Sequence, residues 1–449
     1  MNKFFLKKIF KKISFIGFLF LIMTLKVNAQ DNEKIAWVKN FRKAGDGTQV
    51  AAIVSDSNNN TIVLLNANKF SPDDSKKNLQ YSYIILRNKN GKKEWRVPLN
   101  NKNDTKVIGQ NLSIDNNGNI YVLGIIEQSN NRKNFIAKYD SEGKKQWDKI
   151  LGDVDNKTSL QKILIGKYNN IYALGTNVSE EINVVLYKFD FDGNNLFEKK
   201  YTHLGFGKGS VDRTITAKMD KDENIYIAGQ TSLSSECLFI LKVNLHGVLT
   251  FKELLSISNY NLFLADLNID DKENIYLGGG ASSTADGIFS FNQENEVLKV
   301  KKYSVISGYQ DYFILKFNAK EIKKDWIRIY GNKDEFNNIY DLKVYEDQIF
   351  VIGSLNKQND LNKLFIKSYN LNGENNWSYF LPYSVNRVIN SYNKAKLTVN
   401  TEGDLIIGGS VKSLEEHKLG VHYYGALIKI INNKKIIKGH NPLINNHLP

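Results

Sequence analysis

Residues 112–124, LSIDNNGNIYVLG, continued by residues 134–147, NFIAKYDSEGKKQW, decide the fold. In the first segment two alternating runs flank an Asn-Asn-Gly-Asn turn. In the second, two more flank a Ser-Glu-Gly turn, and the last run opens on Trp147. Apolar and polar residues alternating around Asn/Asp/Gly clusters are the signal of β-hairpins. The segment predicts four short strands whose apolar faces a single sheet cannot bury.

Working outward, the first hairpin recurs along the chain. It reads TIVLLN (61–66), NIYALG (170–175), NIYIAG (224–229), NIYLGG (274–279), QIFVIG (348–353) and DLIIGG (404–409). On this reading Asn66 replaces the closing Gly in the first copy. A strand precedes each turn: AAIVS, NLSID, KILIG, ITAKM, DLNID, DLKVY and KLTVN. The second hairpin recurs as well, and its fourth strand opens on an aromatic residue at positions 95, 147, 197, 251, 326 and 377. The result is seven copies with a period of about 50 residues, one lengthened by an insertion at 280–310. Four short strands per copy at that period mean a propeller. The expected fold is all-β: a seven-bladed β-propeller of four-stranded antiparallel blades.

Residues 35–41, IAWVKNF, read as a fourth strand with no first three. The last copy's own fourth strand, around Lys435, Ile436 and Ile437, is weak. The N-terminal strand is therefore expected to complete the last blade and close the ring. The expected organisation is a signal peptide over 1–29, one propeller domain over 30–440 and a tail over 441–449.

The repeat resembles the bacterial β-propeller repeat (SBBP-type) family of secreted and surface proteins. That family has Asp-x-x-Gly-Asn-Ile-Tyr-Val-x-Gly followed by Phe-(Val/Ile)-x-Lys-x-Asp/Asn-x-x-Gly-x-x-x-Trp. Residues 107–154 match nearly throughout, and the likeness extends over roughly 48–440. The shared residues are turn and core residues, so the resemblance implies a fold and names no activity. Residues 91–95 and 143–147, GKKEW and GKKQW, are also similar to the quinoprotein-type propeller repeat over a shorter stretch.

At the N-terminus, Lys3, Lys7, Lys8, Lys11 and Lys12 precede a thirteen-residue apolar run at 13–25 and the small residues Val27-Asn28-Ala29. The run is too short to span a bilayer comfortably. The pattern is that of a secretory signal cleaved after Ala29, which predicts periplasmic, cell-surface or secreted protein with no stable membrane span after cleavage. That segment holds six basic residues and no acid, leaving 55 Lys+Arg against 47 Asp+Glu, a net charge of +8. The excess is scattered, which argues against a nucleic-acid partner. The single cysteine, Cys237, excludes an internal disulfide.

No catalytic signature stands out. The Asp-x-x-Gly-Asn turns lack the alternating acidic run and terminal Glu of a calcium loop, and turn chemistry accounts for them. The six histidines have no zinc-type spacing. No Gly-x-Ser-x-Gly elbow is present, and the Gly-rich 205–209 opens no strand-to-helix phosphate loop. No cofactor and no metal are expected. Aromatic and polar residues gather in the loops that open on one face of a propeller. Phe206, Tyr260, Tyr303, Tyr309, Phe336, Tyr383, Tyr392 and Arg387 are the candidate ligand contacts, beside Asp153, Asp155, Asp212, Asp334 and Glu335. Rings next to carboxylates and amides suit sugars or peptides. The expected function is a non-enzymatic monomeric scaffold binding a protein or glycan through that face. The alternatives are a glycan- or peptide-active hydrolase or lyase on the same ring, with two carboxyls converging, and a quinoprotein-like propeller.

Overall fold

The computed structural model describes residues 35–41, 47–69, 79–99, 106–128, 131–151, 158–178, 182–202, 215–232, 236–255, 260–283, 301–302, 310–318, 323–331, 335–357, 363–381, 395–412 and 423–432. These residues form seven antiparallel sheets arranged as a seven-bladed β-propeller, with no helix among them. The innermost strands, in blade order, are Gly47–Ser55, Lys106–Ile114, Thr158–Ile165, Ile215–Met219, Tyr260–Ile269, Glu335–Tyr345 and Lys396–Val399. Blades 1 to 6 then step outward in chain order to a rim strand.

The turn residues perform the role their chemistry predicts. In blade 2, Asp115 Oδ1 accepts the backbone N–H groups of Asn117 and Asn119, each at 2.9 Å. Its Oδ2 accepts Asn119 Nδ2 at 2.7 Å and the Tyr121 hydroxyl at 3.0 Å. The carboxylate is thus filled by the turn it shapes. Blade 3 has Gly166 where blades 1, 2, 4, 5 and 7 have Asp or Asn, and its Tyr172 hydroxyl would be orphaned in the core. Glu223, from the turn of blade 4, reaches across and accepts it at 2.7 Å. Its carboxylate occupies the space a Cβ on Gly166 would need.

The register corrects one alignment. Asp56 N donates to Asn60 O as Asp115 N donates to Asn119 O. Asn60, and not Thr61, is therefore the counterpart of Asn119. Leu65, and not Asn66, stands where the other copies close with Gly, and it pairs with Val50 as Gly124 pairs with Gly109. The closing glycines lie opposite a bulge in the inner strand. A Cβ on Gly175 would sit 2.0 Å from the Ser159 carbonyl oxygen, which is why those copies cannot carry a side chain there.

The ring closes as expected. Ile35–Asn40 pairs antiparallel with Tyr423–Ile430, with Trp37 opposite Lys429 and Lys39 opposite Leu427. The sheet order is the N-terminal strand, then the third, second and first strands of blade 7. Seven apolar clusters result, one for each blade interface. The cluster joining blade 7 to blade 1 contains Phe41, Val63, Leu65, Ile406 and Leu427 with Trp37 packed against it. Blade 5 gains a fifth strand: Lys301–Lys302, from the insertion, runs parallel to the rim strand Lys323–Tyr330.

At the rim one contact repeats. The Trp that opens a fourth strand packs on the glycine of the next blade's last turn, held at positive φ. Trp37 meets Gly91, Trp95 meets Gly143, Trp147 meets Gly193 and Trp326 meets Gly373, with Phe197 on Gly247. At Gly143 (φ 83°) a Cβ would lie 2.9 Å from Val97 and 3.1 Å from Trp95, so the ring can approach only bare backbone. Trp37 and Trp326 also donate their indole N–H to the Lys89 and Leu371 carbonyls, at 3.1 and 3.2 Å. Trp147 is half-buried rather than enclosed, and Asn116 and Asn117 are exposed.

Candidate functional site: the central channel

The inner strands of all seven blades enclose a cavity of about 490 Å³ on the ring axis. Its wall is built from two positions in each copy, four and two residues before the turn Asp or its counterpart. The first tier reads Ala52, Asn111, Lys162, Thr216, Asp266, Asp341 and Lys396 from blade 1 to blade 7. In the second tier, Lys218 and Lys343 stand among neutral side chains such as Val54, Leu164 and Asn268. The residues between the tiers, such as Leu112, Ile163 and Leu397, are buried in the blade interfaces. One strand therefore serves core and channel by alternation.

The two carboxylates are structural struts. Asp341 Oδ1 accepts Lys343 Nζ at 2.5 Å and the Leu342 N–H at 2.9 Å. Its Oδ2 accepts the Leu397 N–H of blade 7 at 2.8 Å. Asp266 Oδ2 accepts Lys343 Nζ at 2.7 Å, and its Oδ1 accepts the Thr216 hydroxyl of blade 4 at 2.5 Å. Lys162 lies 3.6 Å from Asp266. These contacts tie blades 3 to 7 together across the axis. Asn111 and Gln161 do the same with neutral groups, accepting the backbone N–H of Ile163 and Ile215 in the following blades.

The electrostatics follow from this geometry. Burial alone raises the Asp266 carboxyl, but Lys343 and Lys162 outweigh it and hold it well below the usual range. Burial and the neighbouring Asp266 charge raise Asp341, against the pull of Lys343. Burial favours a neutral Lys343, yet the two aspartates overturn that and hold its proton above the ordinary range. Lys218 has no such partner: burial, reinforced by Lys343, pushes it down to about 8. Burial lowers Lys396 as well.

Of the loop residues singled out in the sequence, three are described; Glu335 opens the inner strand of blade 6, while Asp153, Asp155, Asp212 and Asp334 lie outside the described residues. Tyr260 opens the inner strand of blade 5 and is buried in the core between blades 4 and 5. Phe336 lies near the start of the inner strand of blade 6 and is 43% exposed. Phe206, Tyr303, Tyr309, Tyr383, Arg387 and Tyr392 lie outside the described residues. Among the described residues no three His, Cys, Asp or Glu side chains gather as metal ligands, and no helix is long and apolar enough to cross a membrane. The channel residues were overlooked in the sequence, although the signal was present. Polar residues interrupt otherwise apolar inner strands at the same two positions, as in DLNID, DLKVY and KLTVN.

No protein-family model and no curated protein matches the chain. Among solved structures it is similar to polysaccharide lyase Uly1, at 10% identity and a TM-score of 0.46 over 88% of this chain and 99% of that one. A second is a PL25 ulvan lyase, at 10% identity and a TM-score of 0.47 over 84% and 93%. A third is the acylaminoacyl peptidase of Pyrococcus horikoshii, at 10% identity and a TM-score of 0.42 over 80% of this chain and 49% of the peptidase. At these values the likeness assigns neither activity nor ligand.

Proposed function

We propose that this chain is an exported, non-enzymatic binding propeller of the secreted bacterial repeat type, monomeric, recognising a protein or glycan at its loop face and channel mouth. One observation carries the reading. The polar cavity is walled by seven strands, those of blades 2 to 7 cross-braced, and both of its acids are already filled by lysine, hydroxyl and backbone donors. A general acid or base must be within reach of the proton it moves and able to change protonation. Asp266 and Asp341 are held in place by a shared lysine, which suits a preorganised recognition surface. The basic, apolar-cored leader at 1–29 supports export.

The test is incubation of the mature chain with a panel of acidic and neutral polysaccharides and peptides, with retention and product formation read together. The expected result is saturable binding of one class with no new reducing ends, unsaturated ends or amino termini. Turnover of any member would contradict the reading and favour a hydrolase or lyase.

A further inference from the structure

The channel holds more positive charge than its acids use. Lys343 is paired with both aspartates, and Lys162 lies near Asp266. Lys218 and Lys396 line the same cavity. Among the described residues neither has a carboxylate within ion-pair distance or a hydrogen-bond acceptor. With all six groups ionised, the wall carries four positive charges against two negative ones. Unpaired ammonium groups drawn out of bulk water are costly unless they lose a proton or acquire an anion. The cavity of about 490 Å³ is within the range of small-molecule sites, about 300–1,000 Å³. Its remaining wall offers amides from Asn111 and Asn268 and an apolar arc from blade 1 around Ala52 and Val54.

We propose that the channel is an oxyanion site, in which Lys218 and Lys396 hold the carboxylate, sulfate or phosphate of a small polar acid, free or at the end of an acidic glycan. This rests on the binding function above and names its ligand class. Lys343 stays on Asp266 and Asp341, which keep the wall in place and limit the cationic excess to the two lysines that face the ligand. Fixed cations on a braced frame need no rearrangement on binding. Amide groups can take the hydroxyls of a sugar acid, and the blade 1 arc can take its C–H face.

The site has a pH signature. Lys218 is faced by Lys162, Asp266, Asp341 and Lys343 from blades 3, 5 and 6 and shares the cavity with Lys396 of blade 7. Blades 1 and 2 contribute Ala52, Val54, Asn111 and Ser113, none of which titrates. Burial and the neighbouring Lys343 hold Lys218 down at about 8. An anion binds the ammonium form, so affinity should fall as pH rises through that value, and binding above it should draw in a proton.

Calorimetric titration of the mature chain at constant ionic strength tests this with inorganic sulfate, inorganic phosphate, galacturonate, galactose and an oligogalacturonate. Wild type should bind the acids and ignore galactose. Lys218→Met and Lys396→Met should each weaken binding by about tenfold, the value of one charged hydrogen bond. Neither change strands a partner, so both variants should melt no lower than wild type, which separates lost binding from lost fold. A tighter oligomer than monomer identifies a chain end as the ligand, and equal affinity identifies a free acid. The oxyanion site is overturned if no acid binds, if galactose binds as well as galacturonate, or if the double variant keeps wild-type affinity. Turnover of the oligomer would instead overturn the binding function.

Discussion

At the rim, Trp37, Trp95, Trp147 and Trp326 do the same work in four blades, each lying on a positive-φ glycine of the next. Along the axis, the seven copies carry Ala52, Asn111, Lys162, Thr216, Asp266, Asp341 and Lys396 at one structural position. Copies that share a rim residue do not share a channel residue. The rim contact is set by backbone geometry, because a Cβ on the glycine would strike the ring, so each copy that uses it sets an aromatic ring on a glycine. The channel wall is not so constrained: any side chain that fits the lumen satisfies the fold, and departures from repetition there are free to serve recognition. The lesson is positional. In a repeat ring, repetition marks what holds the blades together, and its failure at a lined cavity marks where function can reside.

The sharpest way to break the comparison is to open the rim at its one non-local joint. Deleting residues 35–41 removes the outer strand of blade 7, the Trp37–Gly91 contact and the Phe41 contribution to the closing core. It also exposes the edge of Tyr423–Ile430, and unpaired edges invite aggregation. The expected outcome in thermal melts is loss of the cooperative transition, with light scattering at lower temperature than wild type. An unchanged melt would mean that the ring closes without this strand.

A second change separates the two kinds of channel lysine. Lys343→Met leaves Asp266 and Asp341 buried without their shared cation, and stranding a buried charge costs about 3–5 kcal/mol. Denaturant melts at neutral pH should register that loss. The stranded carboxyls would have folded-state pKa values above their unfolded ones, so their penalty is absent at low pH and grows as pH rises through the folded values. The deficit should therefore shrink on acidification. Lys218→Met, by contrast, should cost nothing in the same melts, because it removes an unpaired cation. Equal losses for the two variants would erase the distinction between strut and ligand group.

The smallest expected effect is at the exposed tip of a turn. Asn117→Ala keeps the Asp115 contact to the residue 117 backbone N–H, and Gly118 supplies the left-handed residue. Surface changes of this kind stay within about 0.5 kcal/mol. A larger loss in a urea melt would show that the turn side chains carry more than local geometry.

Most of the fold was legible because the turns are. Asp115, Asp220 and Asp270 announce their hairpins with side chains that bond their own turns, and Trp147 and its equivalents mark the rim. The ring closure was legible for the same reason: residues 35–41 form a rim strand without a blade. The alignment of copy 1 slipped by one residue because TIVLLN lacks the closing Gly that anchors the others, and only pairing shows Asn60 in the turn. The channel was harder to read for a different reason. Its two positions recur but carry no single residue type, and Lys162, Asp266 and Lys343 meet only after blades 3, 5 and 6 are bent around one axis. Aromatic content pointed to Tyr260, which packs in a blade interface instead. A ring stacked against a neighbouring sheet and a ring awaiting a ligand look alike in one sequence.

The most direct measurement is hydrogen exchange of the protein with and without saturating sulfate, resolved by peptide. Protection should appear on the inner strands Ile215–Met219 and Lys396–Val399, which carry Lys218 and Lys396, and leave the rim strands Lys93–Pro98 and Lys145–Leu151 at their unliganded rates. Protection on the rim strands with the inner strands unchanged would contradict the assignment of recognition to the channel.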